Sequence, residues 1–213
     1  MKSHRGSGDF FVSARFGLIF IAEMVIQYQD GLGTERLRTR FVTPEDALIW
    51  TEYCSDPVAT EFTAIPEMSA AEMARYVIDL TIKRYADGRM GLQAMIDKQT
   101  GAFVGQCGLL IQEVDGKSET EIGYHFLRRH WGRGYATEAA RMFRDHAFES
   151  FKLDSVISMI HPDNIASQKV ALRNGLRHTE NTYFKSAIHP ALSKEYCVYR
   201  ITRKEWEGLR RGA

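Results

Sequence analysis

Arg128–Ala140 reads RRHWGRGYATEAA, and this stretch decides the fold. It joins a strand-like run, Glu121–Leu127 (EIGYHFL), to a helix-like run, Ala136–Phe151, through two glycines with one arginine between them. Gly132 and Gly134 can take backbone angles that side chains disfavour, and they let a ligand approach the main chain closely. The helix that follows presents unpaired N–H groups and the positive end of its dipole to whatever lies in the turn. Arg128, Arg129 and Arg133 add positive charge, so the turn is a candidate anion site.

The kind of anion can be narrowed by elimination. A Walker loop needs GxxxxGK[ST], and the chain has no Gly-Lys pair followed by a hydroxyl residue. A dinucleotide fingerprint needs a small third residue where Thr137 stands, together with an early βαβ unit. What remains is RxxGxGxA, carried by Arg129, Gly132, Gly134 and Ala136 between a strand and a helix. A plain glycine turn before a capped helix explains GxG alone. The strand, the arginine and the amphipathic helix together favour the anion site.

The chain has 213 residues, 44% hydrophobic and 26% charged, which suits one globular domain with a sizeable core. Its formal net charge of +1 gives no overall pull toward nucleic acid or an anionic membrane, so anion binding must be local. Cys54, Cys107 and Cys197 have neither CxxC spacing nor a histidine cluster beside them. They read as free thiols in a reducing cytoplasm, with no metal site expected.

Near the start, Lys2, His4 and Arg5 precede an apolar run, Phe10–Ile26, which superficially resembles a signal peptide. Arg15 interrupts it, Glu23 sits near its end and no A-x-A-like site follows, which argues against secretion. The run is also too short and too charged for a membrane span. Met24 would make a natural start for the domain. For residues 1–23, an appendage, a partner-binding segment and an upstream extension of the reading frame stay open.

Period-two alternation marks Glu35–Val42 as a strand. Thr43, Pro44, Glu45 and Asp46 signal a helix start with a hydroxyl cap, and that helix runs to about Cys54. Ser69 with Glu72 forms a capping box for a helix ending near Ala86. Strands follow at Gly91–Ile96, Phe103–Gln112 and Thr120–Leu127, joined by hairpin turns and therefore antiparallel. After the glycine turn, Ala136–Phe151 carries Phe143, Ala147 and Phe151 on one face. Asp154–Ile160 is a strand and Ala166–Arg173 a helix. Arg177–Phe184 and Glu195–Thr202 form a final strand pair, with His189 and Pro190 between them, before a charged peripheral tail.

Motif by motif, the chain resembles the GNAT superfamily of N-acetyltransferases, specifically the RimJ/RimL-like ribosomal-protein alanine and serine N-acetyltransferases. The resemblance rests on Glu35–Arg40, Thr43–Ala47, EIGY at Glu121–Tyr124, Trp131–Ala139, and His161–Ser167 followed by Gly175 and Leu176. It implies an α/β (α+β) fold with a mixed, mostly antiparallel sheet of about six to seven strands, splayed at the cofactor site and flanked by about four helices. The domain would span residues 34–203, with 1–33 an extension and 204–213 a tail.

The resemblance also implies that acetyl-coenzyme A binds with its pyrophosphate on Arg129, Gly132, Arg133, Gly134, Tyr135, Ala136 and Thr137. Its pantetheine would pair with the backbone of Phe126 and Leu127, with Asn164 and Ser167 beside it. Asn164 and Ser167 also suit helix capping, a role less convincing for Ser167 inside the helix. Glu121 is the candidate base, against the alternative of a surface acid, and His125 shares its strand face as a candidate for proton transfer, against the alternative of a structural histidine. In this family a tyrosine commonly follows the asparagine by seven residues as general acid, whereas this chain has Ala171 there. Thiolate protonation then falls to Ser167, water or Tyr135.

The expected reaction is acetyl transfer to a primary amine, a protein N-terminus or a small molecule, by direct attack in a ternary complex. Helix-rich residues Pro44–Ala86 and the loop Lys185–Lys194 would form the acceptor site. A homodimer is an admissible assembly. The alternative is a non-catalytic acyl-coenzyme A-binding module.

Overall fold

The computed structural model describes residues 28–63, 68–184 and 194–212. The readings made for Phe10–Ile26, Met24 and the His189–Pro190 connection lie outside these residues. In chain order the elements are β1 (Leu37–Arg40), α1 (Asp46–Ser55), α2 (Ala70–Ala86), β2 (Leu92–Asp97), β3 (Phe103–Val114) and β4 (Lys117–Phe126). A 3-10 turn (Arg128–His130) leads into α3 (Tyr135–Glu149), β5 (Ser155–Ile160), α4 (Ile165–Arg173), β6 (Arg177–Phe184), β7 (Lys194–Thr202) and α5 (Arg203–Arg211).

The seven strands form one sheet in the order β1-β2-β3-β4-β5-β7-β6. All neighbours run antiparallel except β4 and β5. The hairpin between β3 and β4 closes on Asp115 and Gly116, both at positive φ, a conformation that keeps the strands in register from Val114↔Lys117 to Gly105↔Phe126.

Period two in the strands divides the core into two layers. Trp50, Tyr53, Ala74 and Ile78 of α1 and α2 pack on Ala94, Ile96 and Phe103. On the opposite face, Ala139, Phe143, Ala147 and Phe148 of α3 pack on Met95, Cys107, Leu109 and Ile122. With helices on both sides, every residue of β2 is buried. Fully burying Phe143 or Phe148 stabilises the fold by about 1.5–3 kcal/mol each.

Four details differ from the sequence reading. First, α1 begins at Asp46 with Glu45 at its N-cap and no hydroxyl cap, and the Asp46 carboxylate instead ties the helix start to β1. It accepts two bonds from Arg40, at 2.6 and 2.7 Å, and the Thr43 N–H at 2.8 Å. Second, the strand expected over Phe103–Gln112 continues to Val114, and its partner begins at Lys117 rather than Thr120.

Third, Tyr28, assigned to the extension, lies in the core: its hydroxyl donates to Gly91 O at 2.7 Å and accepts the Leu109 N–H at 3.1 Å. Fourth, the tail expected to be peripheral forms a fifth helix, capped by a reciprocal Thr202–Glu205 box. Its Trp206 is only 7% exposed, stacks on Phe148 at 5.1 Å and donates to Asp145 at 2.7 Å. No described helix is long and apolar enough to cross a membrane.

Candidate active site

The parallel pair β4–β5 shares a single paired position, Glu121↔Ile157. Beyond it β4 stays with β3 as far as Phe126, while β5 stays with β7 as far as Ile160, so the two strands diverge. Side chains close the point of divergence where backbone pairing stops. Glu121 Oε1 accepts the Met159 N–H at 3.2 Å, and Ser158 Oγ donates to Ile122 O at 3.0 Å. The gap opens into a cavity of about 1000 Å³.

At one end of this cavity lies the glycine turn. Gly132 and Gly134 sit at φ 75° and 81°, in the left-handed region where a Cβ is strained. Gly134 is also the N-cap of α3, and no side chain caps that terminus. The first-turn N–H groups of Tyr135, Ala136 and Thr137, all cavity-lining residues, therefore remain as donors for an anion.

Residues distant in sequence brace the turn. Glu138 accepts from the Thr34 hydroxyl, from Arg36 N at 3.0 Å and from Arg36 Nε at 2.7 Å. Arg36 in turn donates to Arg133 O at 2.9 Å and lies 4.9 Å from the centre of the Tyr135 ring. The Tyr135 hydroxyl donates to Asp97 at 2.5 Å, which together with the Thr100 backbone N–H holds that carboxyl down to about 2. Tyr135 is thus committed to a structural bond, which removes it as a proton donor for a thiolate.

The other expected anion ligands are distributed unevenly. Gly132, Gly134, Tyr135, Ala136, Thr137, Asn164 and Ser167 line the cavity, whereas Arg129 and Arg133 do not. Arg129 pairs with Glu52 of α1. Phe126 lines the wall, but its carbonyl accepts the Trp131 indole N–H at 2.7 Å. Leu127 is fully buried, its N–H donating to Val104 O at 3.1 Å and its carbonyl accepting from His130 N at 2.9 Å. The Leu127 N–H is thus not left for a ligand.

At the depth of the gap, Glu121 is 8% exposed, which disposes of the surface-acid reading. Burial pushes its carboxyl above the usual range, opposed by a 2.6 Å bond from Gln112 and by the Met159 N–H. His125 also lines the cavity, and burial lowers it to about 4. Its Nδ1 lies 2.9 Å from the Tyr53 hydroxyl.

On the other side, Asn164 caps α4 by accepting the Ser167 N–H at 3.0 Å while still lining the cavity. Ser167 Oγ lies 2.8 Å from the Tyr124 hydroxyl, which also donates to Ser167 O at 3.1 Å. Burial raises Tyr124 well above the phenol range, so it stays protonated. Ala171 is buried at the position of the missing tyrosine. Tyr124, Tyr53, Gln112 and the Arg36–Glu138 brace went unassigned in the sequence reading. Tyr124, Arg36 and Glu138 lie inside the quoted motifs, whereas Tyr53 and Gln112 had no signal there.

This arrangement can bind an anion at the turn and hold a long ligand along the gap. It sets a carboxyl and a hydroxyl pair on opposite sides of the gap's deep end, a layout suited to proton removal and delivery. Comparison with known proteins gives the family. Residues 36–177 match the model of the family described as "Acetyltransferase (GNAT) domain". The protein YkkB of Bacillus subtilis (strain 168) is 33% identical over 151 residues, covering 70% of this chain and 86% of YkkB.

The N-acetyltransferase p20 of Bacillus licheniformis is 34% identical over 140 residues, covering 65% of this chain and 78% of p20. Among solved structures, Mycobacterium smegmatis RimJ, in complex with CoA-disulfide, has the same fold, with a TM-score of 0.61 at 22% identity over 79% of this chain and 83% of RimJ. The chain belongs to the GNAT family and is an acetyltransferase.

Proposed function

We propose that the protein transfers the acetyl group of acetyl-coenzyme A to a primary amine, on a protein N-terminus or a small molecule, by direct attack within a ternary complex. One observation carries this reading. The gap between β4 and β5 links an uncapped helix terminus to a buried carboxyl through one continuous cavity. The open left-handed turn fits the pyrophosphate, since a Cβ built on Gly132 meets nothing within 4 Å. The first-turn N–H groups of α3 would bind that pyrophosphate, and Phe126, Asn164 and Ser167 would flank the pantetheine. When bound, acetyl-coenzyme A supplies the acetyl group as an activated thioester.

The chain's own groups account for the proton traffic. Glu121, raised above the usual carboxyl range by burial, is the base for the amine proton. Ser167 Oγ is the proton donor on the opposite side, and the Tyr124 hydroxyl, 2.8 Å from it, can replenish it by turning its single proton from Ser167 O to Oγ. This pair fills the role left open by Ala171. The test is thiol release from acetyl-coenzyme A across a panel of free amines and short peptides. The reading expects turnover on at least one of them; tight cofactor binding with no turnover on any would reduce the protein to a binding module.

A further inference from the structure

His125 shares a face of β4 with Glu121, and its environment is built from α1. Trp50, 2% exposed, stacks on Tyr53 with ring centres 4.4 Å apart and planes 8° apart. Phe103 meets Trp50 edge-on at 5.9 Å, and Tyr53 meets His125 edge-on at 5.5 Å. This aromatic column packs on the face of the Tyr53 ring. Its hydroxyl is held 2.9 Å from His125 Nδ1 and 3.1 Å from Thr63 Oγ1.

The direction of these bonds follows from donor strength. A neutral imidazole carries one N–H and one acceptor nitrogen, and a phenol has a single proton to give. Burial keeps His125 neutral at pH 7. A phenol donates better than it accepts, and an imidazole lone pair is a good acceptor. The Thr63 hydroxyl then donates to Tyr53, Tyr53 donates to Nδ1, and the ring proton resides on Nε2. Bonds aligned in one direction polarise one another and strengthen the last donor. Among the described residues nothing bonds Nε2, and His125 lines the cavity.

We propose that Tyr53 is a positioning residue that fixes His125 as a neutral Nε2–H donor, and that this donor binds an oxygen of the acceptor molecule. The preferred substrates are therefore amines that also carry a hydroxyl, carbonyl or carboxylate oxygen, rather than plain alkylamines. This rests on reading the cavity as the acetyl-transfer site. It replaces the proton-transfer role expected for His125, because in this tautomer Nε2 already carries the ring proton and the one acceptor nitrogen, Nδ1, is occupied by the phenol.

The experiment pairs nitrogen-15 NMR of the histidine ring with steady-state kinetics on the full chain. In the unaltered protein His125 should show the Nε2–H tautomer alone, and Tyr53→Phe should convert it to a mixture. With 2-methoxyethylamine and n-butylamine as a matched pair, or any oxygen-bearing amine from the screen and its deoxy analogue, the oxygenated member should be favoured. Tyr53→Phe should raise KM for that member about five- to tenfold, the loss of one hydrogen bond, while KM for acetyl-coenzyme A stays constant.

If Tyr53→Phe does not fold, Thr63→Val, which removes only the outer hydroxyl, should shift the tautomer in the same direction. An Nδ1–H or mixed tautomer in the unaltered protein overturns the proposal. So does a Tyr53→Phe protein whose tautomer and acceptor KM are unchanged. Because the tautomer is read without turnover, an inactive protein with a pure Nε2–H ring would count against acetyl transfer and not against the role of Tyr53.

Discussion

Replacing Glu121 by Gln separates catalysis from stability, because the structure assigns the two effects opposite directions. The carboxylate accepts from Gln112 Nε2 at 2.6 Å and from Met159 N at 3.2 Å. A glutamine keeps one oxygen for Met159, and rotation of the Gln112 amide lets that side chain accept from the new amide. Both bonds survive, and a buried charge disappears. The raised carboxyl favours the protonated form in the fold, so its contribution to stability is present below the ordinary carboxyl range and lost as pH rises through the folded value.

At pH 7 the variant should therefore be at least as stable as the parent, within about 1 kcal/mol, or roughly 2–4 °C in Tm for a chain of this size. Glu121→Ala instead strands two part-buried donors, at up to about 1–3 kcal/mol each, and should lower Tm. Turnover tells the other half. Loss of a general base lowers kcat/KM by about 10²–10⁴-fold and removes the rise of rate with pH that tracks the Glu121 carboxyl. Thermal unfolding by circular dichroism and thiol release at several pH values measure both. A Glu121→Gln rate within about threefold of the parent, with the pH dependence intact, refutes the base assignment.

Three further predictions address the loop and the tail. Gly134→Val, which forces a β-branched residue to φ 81°, should cost about 1–2 kcal/mol or more in stability and weaken acetyl-coenzyme A binding by calorimetry; unchanged affinity would remove the turn as the anion seat. Tyr135→Phe should retain most activity, since its hydroxyl serves Asp97. Its Tm should fall more at pH 7 than near pH 2, because a depressed Asp97 contributes stability above the ordinary carboxyl range that is lost as pH falls through about 2. Trp206→Ala should destabilise by about 3–5 kcal/mol in denaturant titration, a loss that a peripheral tail would not show.

Much of the fold was legible because its signals are local. The hairpin at Asp115–Gly116, the capping box at Ser69–Glu72 and the glycines before α3 each lie within a few residues and dictate their own geometry. The C-terminal helix was legible by the same rule, through Thr202–Glu205 and Trp206, and went unread because its charge suggested a solvated tail.

The site divided along the same line. Cavity-lining glycines and Asn164 sit in contiguous motifs. Tyr53 meets His125 across 72 positions, and Arg36 meets Glu138 across 102, so no local pattern announces either pair. Arg129 shows the converse: its motif position suggested an anion ligand, and a carboxylate from another helix has claimed it.

The divergence of β4 from β5 also bears on how the protein avoids self-association. An unpaired strand edge is a template on which another chain can polymerise, and ordinary sheets confine that hazard to their outermost strands. This sheet creates two more such edges in its middle. They face each other across a narrow slot whose inner end is stitched by Glu121 and Ser158. A foreign β-strand entering the slot would have to satisfy both edges at once and bring its side chains past the walls of the cavity. A slender, amide-bearing chain without side chains meets neither obstacle. The slot therefore suits a thread-like ligand better than an added β-strand.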